Sequence, residues 1–117
     1  MKNGVISDSQ ITASSLALNQ RIEYQGPKNA RLDRVATDSM AGAWSALHGD
    51  AHPCLQIEFT ILMYIAGIVL QGRQDKDQWV TKYEVQYSSN DGVTWVYVSD
   101  ENNGTVRQTN IPLTLKL

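Results

Sequence analysis

The chain has 117 residues, a formal net charge of −2, and 42% hydrophobic against 19% charged residues. This length suits one domain that can bury a core, and the apolar balance excludes a disordered tail. Mild acidity excludes a broadly basic nucleic-acid binder.

Residues 1–10 (MKNGVISDSQ) carry one Lys but lack the apolar stretch of a secretory leader. An excised or internally started piece of a longer protein, a form exported without a leader, and a cytosolic protein all fit this start. Short apolar runs follow, separated by turn-rich stretches, with little helical periodicity. This is the all-β pattern. Strands are predicted near 10–14, 30–33, 54–60, 61–71, 80–88 and 93–98, with loops at 15–29, 34–53, 72–79, 89–92 and 99–105. The run at 61–70 (ILMYIAGIVL) is too short to span a bilayer. It reads as a strand buried on both faces. Tyr83, Val85 and Tyr87 alternate with Lys82, Glu84 and Gln86, the two-residue period of a half-buried strand. Asn90-Asp91-Gly92 is turn chemistry that tolerates positive φ, and Val93, Trp95 and Tyr97 make the returning strand of a hairpin. In the tail, Ile111, Leu113, Leu115 and Leu117 alternate with Pro112, Thr114 and Lys116, enough for one amphipathic strand with Pro112 at an edge or start.

Signals for chemistry are sparse. His48, Asp50 and His52 have ligand-like spacing, but zinc needs further ligands and an orienting shell, so HGDAHP reads as loop and no metal site is assigned. Asp75 and Asp77 lie beside Arg73 and Lys76, a mixed-charge solvated loop with no sign of the burial that catalytic carboxylates need. No nucleophile elbow, phosphate loop or zinc-protease motif occurs, so no catalytic residue, enzyme activity or cofactor is expected. A single cysteine, Cys54, excludes an intrachain disulfide and reads as a small buried hydrophobe.

Gln71-Gly72-Arg73, Trp79-Val80, Tyr83, Tyr87-Ser88, Asp91-Gly92 and Trp95 follow the order QGR…WV…Y.v.YS.DG..W. With the opening MKNGVISDSQITASS, Asn29-Ala30-Arg31-Leu32, Gly42-Ala43-Trp44 and Leu55-Gln56-Ile57-Glu58, this closely resembles the discoidin family, also called the coagulation factor V/VIII type C domain. The resemblance covers about residues 1–101 and leaves 102–117 as a divergent tail. It implies a single domain over 1–117 folded as a jelly-roll-like antiparallel β-sandwich; strand pattern alone allows any small sandwich or barrel. The family's F.GN.D and arYvRi segments are missing. The sandwich is therefore expected to be incomplete at its C-terminus, with strand edges exposed unless the tail or a partner covers them, and self-association follows as an expectation. Trp44, Trp79 and Trp95 match framework positions and are read as core, as are Tyr83 and Tyr87. Arg73-Gln74-Asp75 departs from the integrin-binding Arg-Gly-Asp tripeptide at its middle residue, and no integrin binding is inferred.

The resemblance implies a non-enzymatic recognition and adhesion module whose loops at one end of the sandwich hold ligand, as loops on β scaffolds commonly do. The candidate ligand-binding residues are Leu18, Asn19, Gln20, Arg21, Ile22 and Tyr24 of the first loop, Met40 of the second, and Arg73, Asp75 and Lys76 of the third. Polar groups beside a Tyr ring suit a sugar. Apolar tips flanked by cations suit an anionic membrane. A third reading folds the first loop's Leu and Ile inward. Cell-surface glycans are favoured over anionic phospholipids because the loop has Gln20 and Arg21 where strong membrane inserters carry tryptophans. A targeting module of a larger receptor or enzyme, and a self-assembling structural fragment, are the remaining alternatives. An extracellular or cell-surface location is implied, where the sequon Asn103-Gly104-Thr105 would carry glycan.

Overall fold

A computed structural model describes residues 6–17, 22–61, 65, 67–90, 92–98 and 114–116. Five short strands form one antiparallel sheet: β1 (Ile11–Ala13), β2 (Leu55–Glu58), β3 (Gln86–Ser88), β4 (Val96–Tyr97) and β5 (Thr114–Lys116), in the order β1-β2-β5-β3-β4. One turn of α-helix, α1 (Ile22–Gln25), and 3-10 turns at Asp8–Gln10 and Pro27–Asn29 complete the regular structure of the described residues. The all-β, antiparallel reading therefore holds in outline.

Alternation builds the sheet's buried face. Ile11 pairs with Ile57 and Ala13 with Leu55; Ile11, Leu55 and Ile57 are buried, while Thr12 and Glu58 on the opposite side are exposed. Ala41, from the loop between α1 and β2, is fully buried with them. The first 3-10 turn is fixed by Ser7, whose backbone N–H donates to Gln10 Oε1 at 2.8 Å. Gln10 Nε2 in turn donates to the Glu58 carbonyl at 2.8 Å, stitching the turn to β2.

The tail strand is central rather than marginal. β5 pairs antiparallel with β2 (Ile57 opposite Leu115) and with β3 (Tyr87 opposite Leu115), bridging the β1-β2 and β3-β4 halves of the sheet. The β3-β4 hairpin also matches expectation. Gly92 has φ 78°, which suits a residue without Cβ. Asn90 organises the turn, its Oδ1 accepting from Thr94 N at 2.9 Å and its Nδ2 donating to Thr94 Oγ1 at 2.8 Å.

Three expectations are corrected. Residues 30–33 form a turn, because Pro27 starts a 3-10 turn and Asp33 adopts a left-handed φ of 59° that a strand cannot contain. The described part of 61–71 carries no strand, and Ile61 is 65% and Val69 73% exposed. With β1 on one side of β2 and β5 on the other, no ladder position beside β2 remains for it. Trp79 is 67% and Tyr83 47% exposed, so neither is core; both lie in the stretch 72–84, which forms no strand, so the predicted strand at 80–88 is confined to its end, where the Val85 carbonyl accepts the Val98 N–H at 2.9 Å. Trp44, half-buried, does serve as framework: its indole N–H donates to the Ser15 carbonyl at 3.0 Å. Cys54 is half-buried, and no helix among the described residues is long and apolar enough to cross a membrane.

Candidate functional site

Of the candidate first-loop residues, Leu18, Asn19, Gln20 and Arg21 lie outside the described residues, as does the sequon at 103–105, and Ile22 is described only as part of the backbone of α1. Tyr24 is placed, and with it a junction of three loops. Its carbonyl accepts the Ala41 backbone N–H at 2.8 Å and Asn29 Nδ2 at 2.7 Å. Asn29 is 1% exposed, an amide in the interior that must find partners for both of its ends. Its Oδ1 takes Arg34 Nε at 3.2 Å and Nη2 at 3.1 Å, so one side chain ties the end of the first loop to the start of the second.

Met40 is half-buried rather than an exposed tip. Residues 37 and 40 close on each other through backbone bonds of 2.8 and 3.2 Å, and the Met40 sulfur lies 3.2 Å from Arg34 Nη2.

The third loop is held by Arg73. Its Nε and Nη2 donate to the two Asp75 carboxylate oxygens at 2.7 and 2.9 Å, a bidentate fork. Its Nη1 donates to Gln78 Oε1 at 3.2 Å, and its backbone N–H to the Gln78 carbonyl at 2.8 Å. The Asp75 partner raises the Arg73 guanidinium further above its already high ordinary value, against the opposing effect of burial. Arg73 holds Asp75 below the ordinary carboxylate range, with a smaller contribution from the Gly42 backbone N–H. Gln74 Oε1 accepts from Ala36 N at 3.2 Å, and Gln71 Oε1 from Asp33 N at 2.7 Å. Second and third loops are thus laced by side-chain amides. Lys76 is exposed and outside this lacing.

Tyr24, Met40, Arg73 and Asp75 therefore fall in one laced region, but Arg73 and Asp75 hold each other. Sequence reasoning missed Asn29, Arg34, Gln71, Gln74 and Gly42 as the lacing. Asn29 was visible as a polar residue in a short motif, and nothing in local periodicity marks an amide that bonds across loops.

The His48, Asp50 and His52 stretch is explained as structure. Asp50 accepts from Ser15 Oγ, from Ser14 Oγ at 2.7 Å and from the His52 backbone N–H at 3.0 Å, and these bonds lower its pKa in that order. Among the described residues no group of three or more His, Cys, Asp or Glu side chains is placed to hold a metal.

Residues of the second and third loops help to line an open cleft of about 1280 Å³, together with Asn29, Trp44, Ile57, Trp79 and Tyr83 among others. Concave recesses of mixed apolar and polar lining are where ligands are usually held. An antiparallel β scaffold with laced loops beside such a recess is the architecture on which loops commonly present binding surfaces. The F5/8 type C domain model matches residues 10–115, and the chain belongs to that family. It is 33% identical over 100 residues to retinoschisin from Mus musculus, 86% of this chain and 44% of that protein. To EGF-like repeat and discoidin I-like domain-containing protein 3 from Homo sapiens it is 38% identical over 105 residues, 86% of this chain and 21% of that one. To lactadherin from Mus musculus it is 33% identical over 107 residues, 89% of this chain and 22% of that one. The chain thus spans less than half the length of these relatives.

Proposed function

We propose that the chain is a non-enzymatic recognition domain of the cell surface or extracellular space, a single discoidin-type β-sandwich over residues 1–117 that binds glycans through its loops. The observation that carries this reading is the junction of three loops that border the cleft through Asn29, Arg34 and Arg73. The Tyr24 carbonyl holds the second loop through Ala41, and Gln74 holds it from the other side through Ala36. Rigidly laced loops reduce the ordering cost of binding, which favours a weak, polar ligand such as a sugar. Family membership supports the sandwich and the adhesion role, in this chain or in a longer protein that carries it as a targeting module. Anionic phospholipid is the second reading. It is favoured by Val35, 60% exposed in the second loop beside Arg34, a small apolar tip next to a cation.

A glycan array run beside sedimentation with phosphatidylserine-containing vesicles separates the two. Glycan binding that weakens in Tyr24→Ala at an unchanged melting temperature is the expected result, since Tyr supplies a flat face with a polar tip. Binding only to vesicles, falling as salt rises, would select the phospholipid reading.

A further inference from the structure

Three arginines line the cleft: Arg31, Arg34 and Arg73. Two are neutralised. Arg31 pairs with Asp8 at 2.7 Å, and Arg73 with Asp75 at 2.7 Å. Arg34 is different. Its hydrogen bonds go to the neutral Asn29 Oδ1 and Met40 sulfur, and no carboxylate among the described residues lies within ion-pair distance. Asn29 itself is held by the Tyr24 carbonyl, so the guanidinium plane is set before any ligand arrives. Guanidinium has five N–H donors in a fixed fork. Nε and Nη2 are engaged, and Nη1 makes no hydrogen bond among the described residues. A half-buried cation with an oriented donor edge, and no counter-charge among the described residues, suits an oxyanion.

The same cleft presents Trp79 and Tyr83, both largely exposed. A tryptophan left this open is unusual for a residue type that is mostly buried, and its face suits the apolar side of a sugar ring. An uncompensated arginine and open aromatic faces in one recess point to a ligand that carries both a ring to stack and an anion to pair. We infer that the cleft takes an acidic saccharide, with its carboxylate seated on Arg34. This deepens the glycan reading and rests on it.

The test measures binding of sialyllactose and of lactose to the wild-type chain, Arg34→Gln and Arg34→Lys, with a thermal melt of each and with phosphatidylserine/phosphatidylcholine vesicles in parallel. The wild type should prefer sialyllactose over lactose by about tenfold or more, as a charge-assisted pair allows. High salt should erode that preference. In Arg34→Gln the ratio should fall to near one with a melt lowered by the lost bonds to Asn29 Oδ1 but still cooperative, and Arg34→Lys, lacking the planar fork, should restore the ratio only in part. Should Arg34→Gln fail to fold, salt dependence of the wild-type preference and the Lys variant carry the test. Lactose bound as well as sialyllactose by the wild type, or an equal preference in Arg34→Gln, overturns the inference while leaving glycan recognition standing. Binding to vesicles with neither sugar bound, or no binding to any of the three, overturns both.

Discussion

Gly42 is buried where a Cβ would lie 2.8 Å from Asp75 Oδ1, closer than side chains tolerate. The carboxylate would have to move, and with it the fork from Arg73 that holds the third loop. Gly42→Ala should therefore cost about 1–2 kcal/mol and lower the melting temperature by several degrees. In an Asp75→Ala background the same change should cost almost nothing, because the atom it meets is gone. Equal cost in both backgrounds would place the damage elsewhere. Trp79→Ala belongs to the opposite case. At 67% exposure it should cost under about 1 kcal/mol rather than the 3–5 kcal/mol of a buried aromatic, and denaturant melts would show a large loss if the ring were core. Acid is the third lever at this scale. Asp50 and Asp75 both titrate below the ordinary carboxylate value of about 3.9. A lowered native pKa stabilises the fold fully above that ordinary value, and the contribution is lost as pH falls below it and through the lower native pKa. The melting temperature should hold from neutral pH to about 5 and drop below about 4. Asp50→Asn should flatten part of that limb, and an unchanged acid profile in both Asp50→Asn and Asp75→Asn would reject the assignment.

At the scale of elements, β5 decides whether the sheet is one or two. Paired on both sides, as β2 and β3 also are, it is a position where a proline does more harm than on β4, which is an edge among the described strands. Leu115→Pro should abolish the cooperative melt, while Val96→Pro should only weaken it; the reverse order would put the tail strand at the margin. How far such features are legible in sequence differs by element. Leu55–Glu58 and Gln86–Ser88 announce themselves through alternation, and Asn90 with Gly92 announces the hairpin, because those signals are local. The tail's alternation was legible too, but its place between β2 and β3 was not, since register with strands far away in the chain leaves no local mark. Residues 30–33 were misread because an apolar Ala and Leu outweighed the turn chemistry of Pro27 and Asp33. The run at 61–70 was misread because apolar composition alone does not say which ladder position is free. The loops that meet at the candidate site were legible through the family resemblance. Their lacing by Asn29, Gln71 and Gln74 was not, because side-chain amides bonding to a distant loop follow no period.

For the whole molecule, the balance of covered and uncovered surface sets the solution behaviour. Among the described residues the buried hydrophobic core consists of Ile11, Ala41, Leu55 and Ile57, while Val69, Leu70, Trp79, Val80, Tyr83, Val96 and Tyr97 are exposed large hydrophobics. Several of them line the open cleft beside Ile57. Exposed apolar surface of this kind, together with edges at β1 and β4 that pair with no further strand among the described residues, favours association, because burying it between copies removes it from water at about 25 cal/mol per Å². The isolated chain should therefore associate as its concentration rises, with a melting temperature that climbs in parallel through mass action. Light scattering coupled to size exclusion, run over a wide range of loading concentrations, reads the first effect, and calorimetry over the same range reads the second. Substituting Val96→Lys on the edge strand should shift the distribution toward monomer, since an inserted edge charge blocks strand addition, and should leave sugar binding at the cleft intact if recognition and association use different surfaces. A monomer at every concentration, melting sharply at one temperature, would mean that the exposed hydrophobics are tolerated as scattered surface and that the sheet edges are already protected within the chain.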